Sequence, residues 1–119
     1  MRDRKSLRLR KYSHFSAIIL VAAAFLSSGK EAAAVTAVHV LNEMSTEEKG
    51  AYIAGLVDGL AYSRWLAHRP DDTAMQCYYS WFYGSGPEKW ARIDQWFTRH
   101  LDKPAVPLLY VLIKKECGD

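Results

Sequence analysis

The sequence predicts an all-α fold, a compact bundle of four to five short helices stapled by one disulfide. Three observations carry this expectation. Apolar residues recur at the spacing of one helical face in several separate stretches. Those stretches are punctuated by Arg69-Pro70, Gly84-Ser85-Gly86 and Lys103-Pro104, residue types that stop helices or start them. The chain also holds just 2 cysteines, Cys77 and Cys117, and two cysteines in an exported protein most often form one disulfide. At this separation the bridge is worth about 4 kcal/mol on the chain-entropy model. Two free thiols are the alternative.

Export is read from the first third of the 119 residues. Arg2, Arg4, Lys5, Arg8, Arg10 and Lys11 form a basic region. Phe15 to Leu26 follows as an apolar run of 12 residues, too short for a permanent bilayer span. Ala32-Ala33-Ala34 supplies small residues for cleavage. Residues 1–34 therefore read as a secretory signal peptide, and 35–119 as a single small helical domain in the periplasm or the medium. An uncleaved anchor is the alternative, because Lys30 and Glu31 stand so near the cut. Without the leader no stable membrane span is expected. The leader also carries the basic charge. Residues 35–119 keep 9 of the 16 Lys and Arg and 11 of the 13 Asp and Glu, a net charge of −2. Nucleic-acid binding has no electrostatic support on such a surface.

Val35 to Met44 is a lead-in. Thr36 can cap a short helix with Val38, Leu41 and Met44 on one side, and an extended Val38-His39-Val40 is equally open. Ser45 to Leu66 is the central element. Ser45 and Glu48 make the S-x-x-E capping box, and Glu47 and Glu48 suit the positive end of the helix dipole. Ile53, Leu56, Val57, Leu60 and Ala61 form its apolar face. Gly55 and Gly59 lie one turn apart on a neighbouring strip. Each costs about 1 kcal/mol relative to alanine, so close approach by another helix is the expected return. Asp58 shares a side with Ala51, Gly55, Tyr62 and Trp65. It is either a half-buried carboxylate satisfied by a tyrosine hydroxyl, a backbone amide or an arginine, or it points to water; a ligand role is the sharper reading.

The residue before a proline avoids helical geometry, so Arg69-Pro70 ends the helix near His68. Asp71 or Asp72 caps a second helix running to about Tyr83. Met75, Tyr78, Tyr79 and Phe82 fit a buried stripe, while Trp81 and Tyr83 point elsewhere. Either this helix is covered on several sides or it exposes aromatics to a partner. Ser85 or Gly86 caps a third helix, with Pro87 near its start and Trp90, Ile93, Trp96 and Phe97 facing inward. Pro104 and Pro107 fit the first turn of the last helix. Leu108, Leu109, Val111, Leu112 and Ile113 make it the most buried, and Lys114, Lys115 and Gly118 suit its end.

No catalytic arrangement is legible. His39, His68 and His100 have no i, i+4 partner in a zinc-binding HExxH context, Asp71-Asp72 reads as capping, and no glycine-rich phosphate loop is present. A metal site would need His68, His100 and a carboxylate to converge in space. The expectation is a non-enzyme with no cofactor and no metal.

The order Tyr52-Ile53-x-Gly55-x-x-Asp58-Gly59, then Cys77, Ile93-x-x-Trp96-Phe97, Lys103-Pro104-Ala105 and Cys117 resembles the Rap/Tai family of periplasmic immunity proteins. The likeness spans most of Glu48 to Cys117. It implies a small, all-α, disulfide-bonded protein that binds and blocks a peptidoglycan-active enzyme, often as a homodimer. Many members have a cysteine before the central helix, where Val38 to Met44 has none. The Tyr78 to Tyr83 aromatic run and the Gly84-Ser85-Gly86 break also depart from the family's pattern; they would lie where partner contacts form, so the partner need not be an amidase.

The expected function is that of an exported non-enzymatic binding protein of the inhibitor or immunity kind, with Trp81, Tyr83 and Arg92 as its partner surface. The alternatives are an acid-stress periplasmic chaperone of the HdeA type, an effector delivered to a host cell, and a peptidoglycan-binding module resting on the aromatics alone.

Overall fold

A computed structural model describes residues 33–119. The signal peptide read over 1–34 lies outside the described residues except for Ala33 and Ala34. The rest folds as five α-helices with one π-helical turn and, among the described residues, no β-strand. These are α1 (Ala37–Asn42), α2 (Thr46–His68), α3 (Thr73–Tyr79) continued by the π-turn Ser80–Gly84, α4 (Glu88–Thr98) and α5 (Ala105–Cys117).

The lead-in resolves to helix. Thr36 supplies no side-chain cap, and Ala37 and Val40 are the buried residues of α1. The segment before α1 is fixed by backbone hydrogen bonds instead: Ala37 N donates to Lys103 O, Val38 N to Leu101 O, and Ala105 N to Val35 O. Thr36 and Pro104 form the isolated antiparallel bridge between these segments. Proline has no N–H, so the donors come from its neighbours.

α2 begins as the sequence predicts. The Ser45 hydroxyl accepts from Glu48 N at 3.2 Å, and the Glu48 carboxylate accepts from Ser45 N at 2.8 Å. Ile53, Val57 and Ala61 are fully buried, with Leu56 and Leu60 packed beside them. The helix ends at His68, before a cis Arg69–Pro70 bond.

α3 starts with Asp72 at the cap position, but the capping bonds come from Asp71, whose carboxylate accepts from both the amide and the hydroxyl of Thr73. The helix expected to reach Tyr83 changes winding at Ser80. A π-turn is wider than an α-turn and shifts the facing of the residues within it. Here Trp81 and Phe82 are both buried, at 8% and 4% exposure, while Tyr83 is turned out. α4 begins after Pro87, with no side-chain cap from Ser85 or Gly86. The Ser85 hydroxyl instead donates to Trp81 O, and Glu88 accepts from Gly86 N.

Ile93 and Phe97 face inward from α4, as expected, and Trp96 Nε1 donates to Leu108 O at 3.0 Å. α5 contributes Ala105, Leu108, Leu109, Leu112 and Ile113 to the core, more buried residues than any other helix, while Val111 faces out. Its end is set by Gly118 at φ 72°, a left-handed conformation that costs glycine little. One core joins α1, α2, α3, the π-turn, α4 and α5. Cys77 and Cys117 are bonded, with Cα atoms 5.8 Å apart, and tie α3 to the end of α5 across 40 residues of chain.

Candidate partner-binding face

α2 packs against α3 and α5 along one side. Its other side carries Ala51, Gly55, Asp58, Gly59, Tyr62 and Leu66, all exposed. These positions recur at three- and four-residue intervals, so they form one continuous strip. Of the motif Tyr52, Gly55, Asp58 and Gly59, Tyr52 packs against the core and the other three face outward. Burial raises the Tyr52 hydroxyl pKa.

The structure corrects the expected role of the glycines. A Cβ placed on Gly55 or Gly59 meets nothing within 4 Å among the described residues. None of the described helices lies over them, so the close packing that would offset their helix cost is not made among the described residues.

Asp58 is exposed rather than half-buried, and a tyrosine satisfies it. The Tyr83 hydroxyl, projecting from the π-turn, donates to Asp58 Oδ1 at 2.9 Å. That bond, followed by a smaller effect of burial, raises the Tyr83 pKa, because ionising the phenol would set two anions against each other. Tyr83 is 55% exposed and lies edge-on to Phe82, with the Tyr79 ring centroid 6.1 Å away. One turn along α2 from Asp58, Tyr62 is 53% exposed and its ring lies 5.6 Å from Trp65. Arg69 covers the Trp65 ring at 5.4 Å. Leu66 is 42% exposed on the same face.

The three residues expected to share a surface patch divide. Trp81 is buried and cannot belong to an exposed surface. The physical reason is the π-turn, which carries it inward beside Phe82. Arg92 lies over the Trp81 ring at 6.0 Å and pairs with Glu116, on the α4–α5 side. Tyr83 alone joins the α2 face, and Tyr62 and Leu66 are the further members. The sequence placed Tyr62 on the side of Asp58; it did not show that Leu66 and the glycines would be left uncovered.

A concavity of about 310 Å³ lies beside the disulfide, lined by His68, Asp71, Thr73, Ala74, Glu116 and Asp119 with both cysteines. His68 faces this cleft, whereas His100 packs against Trp96 at 4.3 Å, so the two histidines named for a metal site make different contacts. Among the described residues no group of three or more His, Cys, Asp or Glu side chains is placed to hold a metal ion. No described helix is long and apolar enough to cross a membrane. No protein-family model, curated protein or solved structure matches this chain.

Proposed function

We propose that this protein is an exported, non-enzymatic binding protein of the inhibitor or immunity kind, and that it engages a cell-envelope enzyme through the outer face of α2. The observation that carries the reading is the uncovered Gly55–Gly59 strip between exposed Tyr62, Leu66 and Tyr83. Exposed Tyr62 and Leu66 on the outer side of a helix whose inner side is already buried mark that outer side as a contact surface. Two glycines in mid-helix cost about 2 kcal/mol together, and close approach by a partner would offset that. Exposed tyrosines around a small-residue floor supply the rigid aromatic contacts on which protein interfaces depend.

The disulfide supports the exported location, since such bonds persist in oxidising compartments. The resemblance in Tyr52, Gly55, Asp58, Gly59, Pro104 and Cys117 supports a peptidoglycan-active enzyme as the partner. The test is a cross-linking capture from envelope fractions with the tagged, oxidised protein. One stoichiometric enzyme, recovered by wild type and lost with Gly55→Leu/Gly59→Leu, is the expected result. Equal recovery by the double variant removes the α2 face from the account. Capture of many unrelated proteins, increasing as pH falls, replaces the inhibitor reading with the chaperone.

A further inference from the structure

Resting on that reading of the α2 face, we infer the chemistry of what covers it: a partner helix that lays apolar residues over Gly55 and Gly59 and sets one arginine or lysine against Asp58.

The charge on the face selects this occupant. Asp58 is an exposed carboxylate flanked by Gly55, Gly59, Tyr62 and Tyr83. Its one hydrogen-bond partner among the described residues is the Tyr83 hydroxyl, and none of the ion pairs formed by those residues includes it. Tyr83 donates to Oδ1, and Oδ2 has no hydrogen-bond partner among the described residues, so it is available to accept a second bond. When an apolar surface closes over the face, water is withdrawn from this carboxylate. A desolvated charge without a counter-charge is strongly disfavoured. An occupant that supplies a cation therefore binds, and one that brings a neutral or acidic group there is rejected. Tyr62 and Tyr83 on either side suit arginine in particular, whose planar guanidinium stacks on aromatic rings while it pairs with a carboxylate.

The position of the cation is also set. Arg69 puts a positive charge at the end of the same side of α2, over Trp65. Arg69 follows the last helical residue, His68, which stands ten residues and about 15 Å along the helix from Asp58. The partner's cation thus belongs at the middle of the face and not at that end. Shape points to a helix, because a strip without side chains along a helix admits another helix axis at short range. A second copy of this chain fits the shape and fails on charge. Two α2 helices crossing at their glycines bring two Asp58 carboxylates together with no cation between them.

The test selects helix-forming peptides of random sequence on the oxidised protein, expressed from its full-length coding sequence, and works whatever the natural partner is. The probe is the selected peptide, measured by fluorescence anisotropy against wild type, Asp58→Asn and Gly59→Leu. Asp58→Asn keeps an oxygen that can accept from Tyr83, and circular dichroism checks that its fold is retained. The expected result is that selected peptides share one arginine or lysine. Their affinity falls about tenfold with Asp58→Asn, and also when that basic residue is changed to glutamine. Binding is lost with Gly59→Leu. Three results of this selection overturn the inference. One is binders with no common basic residue, or with unchanged affinity for Asp58→Asn. Another is failure to select any binder that Gly59→Leu abolishes. The third is self-association of the purified protein that Gly59→Leu abolishes, which gives the face to a second copy. The proposed function fails separately, through the envelope capture. An enzyme captured equally by wild type and Asp58→Asn would leave that function standing and remove the cation.

Discussion

Asp58 and Tyr83 are 25 residues apart in sequence and joined by one hydrogen bond, so each reports on the other. The bond stabilises the neutral phenol and holds the Tyr83 pKa above the usual tyrosine value. A pKa raised on folding contributes stability below the unfolded value and loses it as pH rises through the folded one. Asp58→Asn removes the charge that opposes ionisation, so Tyr83 is expected to titrate lower in that variant. Alkaline ultraviolet difference titration, with Tyr83→Phe to identify the transition, measures this. An unchanged titration would mean that the pair does not form. Glu48 shows the opposite sign. The amide of Ser45, then its hydroxyl, hold the Glu48 carboxyl below the ordinary glutamate value. Its contribution is present above that ordinary value and is lost as pH falls through the lower folded one. Glu48→Gln is therefore expected to be less stable than wild type near neutral pH, with the difference closing in acid, as followed by urea unfolding across that range.

At the scale of the helix, Gly55 and Gly59 separate stability from binding. Each proposed Cβ enters open space, and both residues are in a regular helix. Gly55→Ala and Gly59→Ala are expected to stabilise the domain by about 0.5–1 kcal/mol each in chemical unfolding. Gly118→Ala should destabilise it, since φ there is 72°. A loss of stability in the α2 alanine variants would show that something in the domain covers the strip. Much at this scale was legible in the sequence. The capping box, the Ile53–Val57–Ala61 face, the Arg69-Pro70 stop and the α5 core all follow from local spacing and local chemistry. The π-turn did not. Nothing in Ser80-Trp81-Phe82-Tyr83 marks a change of winding, and a regular helical projection therefore turned Trp81 outward. The caps at Ser85 and Gly86 failed for a related reason, because the Ser85 hydroxyl is taken by Trp81 O.

For the whole molecule, the Cys77–Cys117 bridge closes a loop that contains the π-turn, all of α4 and nearly all of α5. A domain this small has limited core, so the cross-link is a large part of its stability. Reducing it, or making Cys77→Ala/Cys117→Ala, is expected to cost about 4 kcal/mol in chemical unfolding on the chain-entropy model. A change under about 1 kcal/mol would mean that the bundle stands on packing alone. The bridge was legible from the cysteine count. The uncovered face was not, because a strip of small residues looks the same in sequence whether the chain covers it or leaves it open. Only the placement of α3, α4 and α5 shows which side of α2 remains free.

Amide hydrogen exchange of the oxidised protein, alone and with its captured envelope enzyme, decides which surface the partner covers. Added protection is expected in the Ala51–Leu66 part of α2 and at Tyr83, with the α4–α5 surface around Arg92 unchanged. Protection centred on Arg92 and Glu116, with α2 unchanged, would contradict that expectation.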